Sequence, residues 1–105
     1  MKATIRVSDV LHPGAITGRH SGRVIREGAV NACHAGNFVQ MDFAGVDVIT
    51  QSAADEFIWR IIRQHPDIME KISFSNCSPD VAGMLQWAAE HANSVLQADG
   101  NTVAA

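Results

Sequence analysis

The hydroxyl side chains of Thr50 and Ser52 stand where a helix is predicted to begin, after a predicted loop over Ala44–Thr50. The first turn of a helix presents free backbone N–H groups and the positive end of the helix dipole, which favour an anion. A phosphate on Ser52 would be stabilised there and would change the charge of this surface by about −1.5 to −2. The alternative is that Thr50 or Ser52 only caps the helix.

Trp59 lies on the same predicted helix, which spans residues 51–64. At about 100° per residue, Trp59 falls almost over Ser52 and opposite the apolar positions of the helix, so we expect it to be exposed. An exposed aromatic side chain among charged ones is typical of an anchor for a protein partner. The alternative is an indole that lies on its own surface, stacked on Arg63. The predicted partner surface comprises Thr50, Ser52, Asp55, Glu56, Trp59 and Arg63.

A second candidate site is the segment Gly14–Arg23, which leads into the first long predicted helix. Glycines recur there at every fourth position with basic residues between them, a pattern that could cradle a phosphate or a nucleotide. Arg19, Ser21 and Arg23 are the candidate anion-binding residues. The segment matches no standard phosphate-binding loop, so a flexible loop with solvated arginines is the alternative.

Three carboxylates, Asp42, Asp47 and Asp55, fall near the same predicted loop. A metal-dependent phosphatase or transferase would need two of them to converge. Asp42, however, ends a predicted strand and is expected to cap a neighbouring loop, and no zinc-ligand spacing or catalytic triad can be assembled from local spacing. We therefore expect no catalysis, no metal and no cofactor, and we interpret Cys33 and Cys77 as small packed hydrophobic residues.

Alternating strands and helices are predicted to position these residues. Strands separated by helices imply an α/β fold with a mainly parallel sheet, helices packed on it and right-handed crossovers. In such sheets the functional edge lies at the carboxyl ends of the strands. The predicted order is βαβαβα, with strands Ala3–Val7, Phe38–Phe43 and Ile72–Phe74 and helices near 17–35, 51–64 and 79–97, the last one capped by Ser78.

Length and composition predict a single domain over residues 1–98, followed by a flexible tail over residues 99–105. The net charge of −3 argues against broad binding to nucleic acid or to an anionic membrane. No apolar run approaches the roughly 20 residues of a membrane span. The two isolated cysteines favour a reducing, cytoplasmic location, and a homo-oligomer is compatible with all of these features.

The central stretch Asp42-Phe43-Ala44-Gly45-Val46, together with Ser21-Gly22-Arg23 at the start of the first long helix, carries a resemblance. It is similar to the STAS domain shared by anti-sigma-factor antagonists and sulfate transporters, and it most resembles the short STAS-like domains of unknown function. The similarity covers roughly residues 3–96. The resemblance implies the same α/β fold.

In the antagonists, the motif after this loop reads Asp-Ser-Ser-Gly, and its second Ser is phosphorylated by the anti-sigma factor. Here the motif falls on Thr50-Gln51-Ser52-Ala53, so that Ser52 is the phosphorylation candidate and Thr50 replaces the Asp. The resemblance implies a regulatory module that binds an anti-sigma factor or kinase-fold ATPase through the start of the second helix. Two alternatives remain: a nucleotide or small-ligand binding protein that uses Gly14–Arg23, and a metal-dependent enzyme that uses Asp42 and Asp47.

Overall fold

The structure, a computed structural model, describes residues 1–11 and 14–104, with side chains described for residues 1–11 and 14–93. The predicted tail at residues 99–105 therefore lies outside the described side chains. The strands are β1 (Lys2–Arg6), β2 (Gly14–Ile16), β3 (Phe38–Asp42), β4 (Val46–Ile49) and β5 (Ile72–Ser75). The helices are α1 (Val7–Val10), α2 (Gly18–His34), α3, α4 (Pro66–Met69) and α5 (Pro79–Ala104). Helix α3 is continuous through the α-helical turn Gln51–Ala54, a π-helical turn at Asp55–Trp59 and the α-helical turn Arg60–Gln64.

The main sheet is parallel and has the order β1-β3-β5, with β3 in the centre. In its register Ile5 lies opposite Met41, and Met41 lies opposite Phe74. This confirms the predicted α/β class and the three predicted strands. The crossover from β1 to β3 contains α2, and the one from β3 to β5 contains α3, as parallel pairing requires a long connection.

A second, two-stranded parallel sheet pairs β2 with β4, and the prediction of a loop over Ala44–Thr50 is therefore wrong. In β4 the outer residues Val46 and Ile49 are buried, whereas Asp47 and Val48 between them are exposed. That in-out-out-in order lacks the strict alternation that identifies a strand in a sequence. The pairing also depends on β2, a short strand that is far away along the chain.

The turn between β3 and β4 explains the composition of the central motif. The Val46 N–H donates to the Phe43 carbonyl over 3.0 Å, which closes a four-residue turn. Gly45 has a φ of +82° at the third position of this turn, a conformation that glycine adopts without steric cost. Phe43 and Val46 are buried on either side of the turn. The motif therefore redirects the chain from the main sheet into the small sheet.

Helices α2 and α3 pack closely at Gly22. A methyl group added at Gly22 would overlap the carbonyl oxygen of Ala53 and come within 2.9 Å of Glu56 Cβ. The same addition at Gly28, further along α2, would meet only Ile5 Cδ1 at 3.9 Å. The absence of a side chain at Gly22 thus sets the separation of the two helices.

The core lies where α2, α3 and α5 pack against the strands. The rings of Phe43 and Phe57 both contact Phe74, with centroid separations of 6.3 and 6.2 Å. Ser78 caps α5 as predicted, since its Oγ accepts the Val81 N–H over 3.1 Å. Within the described residues, no helix is both long enough and apolar enough to cross a bilayer. The predicted core positions of α3 are all buried: Ala54, Phe57, Ile58, Ile61 and Ile62.

Candidate functional site

Helices α2 and α3 begin side by side, because β2 and β4 are parallel and each leads into one of them. The Thr50 N–H donates to the Ile16 carbonyl over 2.9 Å at the end of this pairing. Thr50 Oγ1 then accepts N–H groups from both helices, from Ala53 over 3.4 Å and from Gly18 over 3.2 Å. Thr50 is therefore the N-cap of α3 and also joins the first residue of α2 to it. The positive ends of two helix dipoles, those of α2 and α3, therefore lie together at the edge of the small sheet where β2 and β4 end.

Ser52 is the second residue of α3 and its side chain is half-buried. Its hydroxyl makes no hydrogen bond with any residue that the structure describes. Of the two capping candidates, Thr50 performs the capping. Any role of the Ser52 hydroxyl is therefore separate from holding the helix start together.

Removing the cap provides a direct test of this assignment. We expect Thr50→Ala to lower the free energy of unfolding by about 0.5–2 kcal/mol, because two backbone N–H groups lose their acceptor. Thr50→Ser keeps the oxygen and should retain most of the stability. Ser52→Ala should change the stability by less than about 0.5 kcal/mol. Urea denaturation measures all three, and an equal loss in Ser52→Ala and Thr50→Ala would contradict the assignment.

Glu56, predicted to be exposed, is instead buried, with 8% of its surface accessible. Its carboxylate is 3.0 Å from Arg26 Nη1, 3.2 Å from Arg19 Nη1 and 3.5 Å from Arg60 Nε. The physical reason is that α2 covers this face of α3, brought close by Gly22. Glu56 is thus the acidic centre of a cluster of arginines that belong to two helices.

The pKa of Glu56 reflects a balance between burial and these arginines. Burial alone raises the pKa, since it disfavours the charged form. The hydrogen bonds from Arg26 and Arg19 and the charges of Arg60 and Arg26 together outweigh it, so that the pKa lies below its usual range. Glu56 is therefore ionised at neutral pH.

Trp59, predicted to lie opposite the core, packs partly against it. The π-helical turn at Asp55–Trp59 holds more residues per turn than an α-helix, so each residue rotates the chain less and Trp59 moves towards the core. Arg63 lies 5.3 Å from the centre of its ring, and Arg60 lies 5.9 Å away, which fits the stacked alternative. Asp55 Oδ1 and Trp59 Nε1 are buried without a hydrogen-bond partner in the described part of the chain.

The basic residues predicted near Gly14–Arg23 do not form a glycine loop, because this segment contains β2 and the first turns of α2. Arg19 and Arg23 instead line a cavity of about 360 Å³ between α2 and α3, and Ser21 is not part of its wall. Sequence reasoning missed Arg26, although the spacing of 19, 23 and 26 is that of one helix face. We call this cavity the arginine pocket, and it is lined by Arg19, His20, Arg23, Arg26, Glu56 and Arg60.

At the carboxyl edge of the main sheet, the Asp42 side chain links the ends of neighbouring strands by polar contacts. Its Oδ1 accepts the Asn76 amide over 3.0 Å and the Ala44 N–H over 2.9 Å, and Arg6 lies 3.9 Å from Oδ2. These contacts, that with Asn76 above all, hold the pKa of Asp42 below its usual range. This confirms the predicted loop-capping role of Asp42.

The alternative of a metal-dependent enzyme would require Asp42 and Asp47 to converge on one site. The side chain of Asp47 is exposed, and its carbonyl accepts the Ser78 hydroxyl over 2.8 Å. Among the residues that the structure describes, no group of three or more His, Cys, Asp or Glu side chains could hold a metal ion. The pKa values of Cys33 and Cys77 are both raised, chiefly by burial, so neither thiol is activated as a nucleophile.

Comparison with known proteins bears on the resemblance of the central motif. No curated protein and no solved structure matches the chain. One family model matches residues 21–82, from the first turns of α2 to the first turn of α5. The matched region contains both Ser21-Gly22-Arg23 and Asp42-Phe43-Ala44-Gly45-Val46, as the resemblance predicted, but it is shorter than the predicted extent of residues 3–96. The chain belongs to the family described as STAS-like domain of unknown function (DUF4325).

Proposed function

We propose that the protein is a regulatory binding module without catalysis of its own, which binds an anti-sigma factor or a related kinase-fold ATPase through the start of α3. Membership of a STAS-like family suggests a regulatory role. The observation that carries the proposal is the paired helix start, where Thr50 does the capping and leaves the Ser52 hydroxyl uncommitted. The proposal implies a cytoplasmic location, where such partners act.

Phosphorylation of Ser52 is the switch in this proposal. Because the hydroxyl is not part of the cap, a phosphate on it would not break the helix start. Backbone N–H groups in the first turn and the dipoles of both helices favour a negative group there. Arg19 follows Gly18 in the first turn of α2, and 67% of its side chain is exposed. A phosphate would therefore be held locally while it changes the charge that this edge offers to a partner by about −1.5 to −2.

The proposed contact surface differs from the six predicted residues in one respect. Glu56 is buried and acts indirectly, by holding the arginines between α2 and α3. The other members keep some exposed surface: Thr50, Ser52, Asp55, Trp59 and Arg63. The aromatic and charged character expected of a partner surface is thus retained on the accessible part of α3.

The test uses a purified kinase-fold ATPase of the anti-sigma-factor type from the same organism. We expect Ser52→Asp to weaken its binding about tenfold or more, because like or unpaired charges at an interface are costly. Ser52→Ala should bind at least as well as the parent and resist release by ATP. Ser21→Asp, at a half-buried hydroxyl in α2, is the matched control and should leave binding within about twofold.

Phosphate mapping after incubation with that ATPase and ATP decides the switch directly. We expect label on Ser52. Label absent from Ser52, together with unchanged binding of Ser52→Asp, would refute the switch. Failure of the unmodified protein to bind the ATPase at all would refute the proposed function itself.

A further inference from the structure

The arginine pocket carries more positive charge than its single acid neutralises. Four arginines and one carboxylate line it, which leaves three positive charges when His20 is neutral. This concentration occurs in a chain whose net charge is −3. Half of the eight Lys and Arg residues of the protein thus face one cavity.

Glu56 holds the guanidinium groups in place without using up their donors. Arg26 uses Nη1 for both of its bonds, to the Glu56 carbonyl at 2.7 Å and to Oε2 at 3.0 Å. Arg19 contacts the Glu56 carboxylate through Nη1, and Arg60 contacts the same carboxylate through Nε. The remaining guanidinium nitrogens of these three residues have no hydrogen-bond or ion-pair partner in the described part of the chain. A fixed fork of N–H donors is suited to bidentate recognition of phosphate oxygens.

Stability alone does not account for four arginines at this place. One guanidinium would suffice to pair the Glu56 carboxylate, and Arg26 already does so with a side chain that is only 16% exposed. Arg19 and Arg23 are four residues apart on α2, a spacing at which like charges destabilise a helix. Glu56 also lies in the π-helical turn of α3, and such turns occur frequently at functional sites. An anion in the pocket would relieve this repulsion.

We propose that the arginine pocket binds a diphosphate group. The excess of three positive charges roughly matches the charge of a diphosphate, and a cavity of about 360 Å³ has room for the group and part of a larger ligand. The site is built from facing sides of α2 and α3, and it does not depend on the proposed function of Ser52. An adjoining cavity of about 290 Å³ shares Arg19, Glu56 and Arg60 with it, and it could take the organic part of a nucleoside diphosphate.

Titration calorimetry with inorganic pyrophosphate tests the proposal in buffer of physiological ionic strength. Among the described residues Arg23 bonds only His20, over 3.2 Å, so Arg23→Gln should leave the Glu56 cluster intact. We expect this variant to bind pyrophosphate about tenfold or more weakly than the parent. Arg6→Gln removes the same charge at the edge of the main sheet, and it should change the affinity less than about twofold.

Two further ligands identify the source of the group. Orthophosphate should bind about tenfold or more weakly than pyrophosphate, since it engages fewer guanidinium forks. If ADP binds as tightly as pyrophosphate, the pocket recognises the diphosphate alone. If ADP binds more tightly, the adjoining cavity also contacts the nucleoside. Both results support the proposal. Pyrophosphate binding no tighter than that of orthophosphate, or an equal loss in Arg6→Gln and Arg23→Gln, would overturn it.

Glu56→Gln gives a readout that a purely structural cluster would not produce. Glutamine keeps an acceptor oxygen for Arg26 and so preserves the arrangement of the arginines, but it removes the negative charge of Glu56 from the pocket. Pyrophosphate should therefore bind more tightly, although the protein is less stable. Weaker binding in a folded Glu56→Gln protein would count against the site. If the variant does not fold, amide chemical shifts of the parent protein replace it: pyrophosphate should shift residues 19–26 and 56–60 selectively, and no such shifts would refute the proposal.

Discussion

Gly22→Ala is expected to lower the free energy of unfolding by about 1–3 kcal/mol, although alanine is the better helix former. The new methyl group would overlap the Ala53 carbonyl oxygen, which belongs to a helix backbone and cannot turn aside. Helices α2 and α3 would have to separate, and the contacts of Glu56 with the arginines of α2 would lengthen. Urea denaturation monitored by circular dichroism measures the loss.

Two other helical glycines provide matched controls for Gly22. Gly28 in α2 and Gly83 in α5 are exposed, and an added methyl group meets at most one side-chain atom at 3.9 Å. Alanine at either position should raise the stability by about 0.4–1 kcal/mol, through helix propensity and a less flexible unfolded chain. A stability gain in Gly22→Ala equal to that in the controls would contradict the close packing of α2 on α3.

Glu56→Ala is expected to lower the free energy of unfolding by about 3 kcal/mol, because it leaves the guanidinium of Arg26 poorly solvated and without its partner. Arg19 and Arg60 are more exposed and can return to water, so they add little. The double variant Glu56→Leu with Arg26→Met removes both buried charges and should recover much of the loss. Equal instability of the double variant and of Glu56→Ala would show that the charge pair is not the cause.

The lowered pKa of Glu56 also fixes the direction of a pH dependence. A carboxylate with a folded-state pKa below its unfolded value of about 4.3 stabilises the protein above that value, and this contribution is lost as the pH falls through the folded-state pKa. Glu56→Gln should therefore lose less stability than the parent when the pH is lowered from about 5 to 3. The pKa of Asp42 is lowered as well. Asp42→Asn should therefore also reduce the loss of stability at low pH, and its effect should add to that of Glu56→Gln. Superimposable slopes for Glu56→Gln and the parent would contradict this.

Local sequence determined much of the fold. The Ser78-Pro79 pair predicts the start of α5, because the cap and the fixed φ of proline act within one turn. The apolar spacing of α3 predicts its buried face in the same way, since positions one turn apart share a side of the helix. The central motif carries the family resemblance because Gly45 meets a backbone requirement of the turn, which is again a local matter.

Tertiary structure decided the features that depend on contacts between distant segments. β4 is a strand only because β2 pairs with it, and its own residues do not alternate. Trp59 lies towards the core because a π-helical turn interrupts the regular rotation of about 100° per residue along α3. The apolar pattern of the sequence does not predict that turn.

The arginine pocket shows the same division between local pattern and long-range packing. Helix periodicity places Arg19, Arg23 and Arg26 on one face of α2, and the sequence alone predicts this arrangement. The meeting of that face with Glu56 depends on Gly22, whose missing side chain allows a close approach to α3. The periodicity of α3 places Glu56 on the solvent side of that helix, yet the structure buries it because α2 covers this side. The apolar pattern of one helix describes that helix alone, and it contains no information on which other helix will cover it.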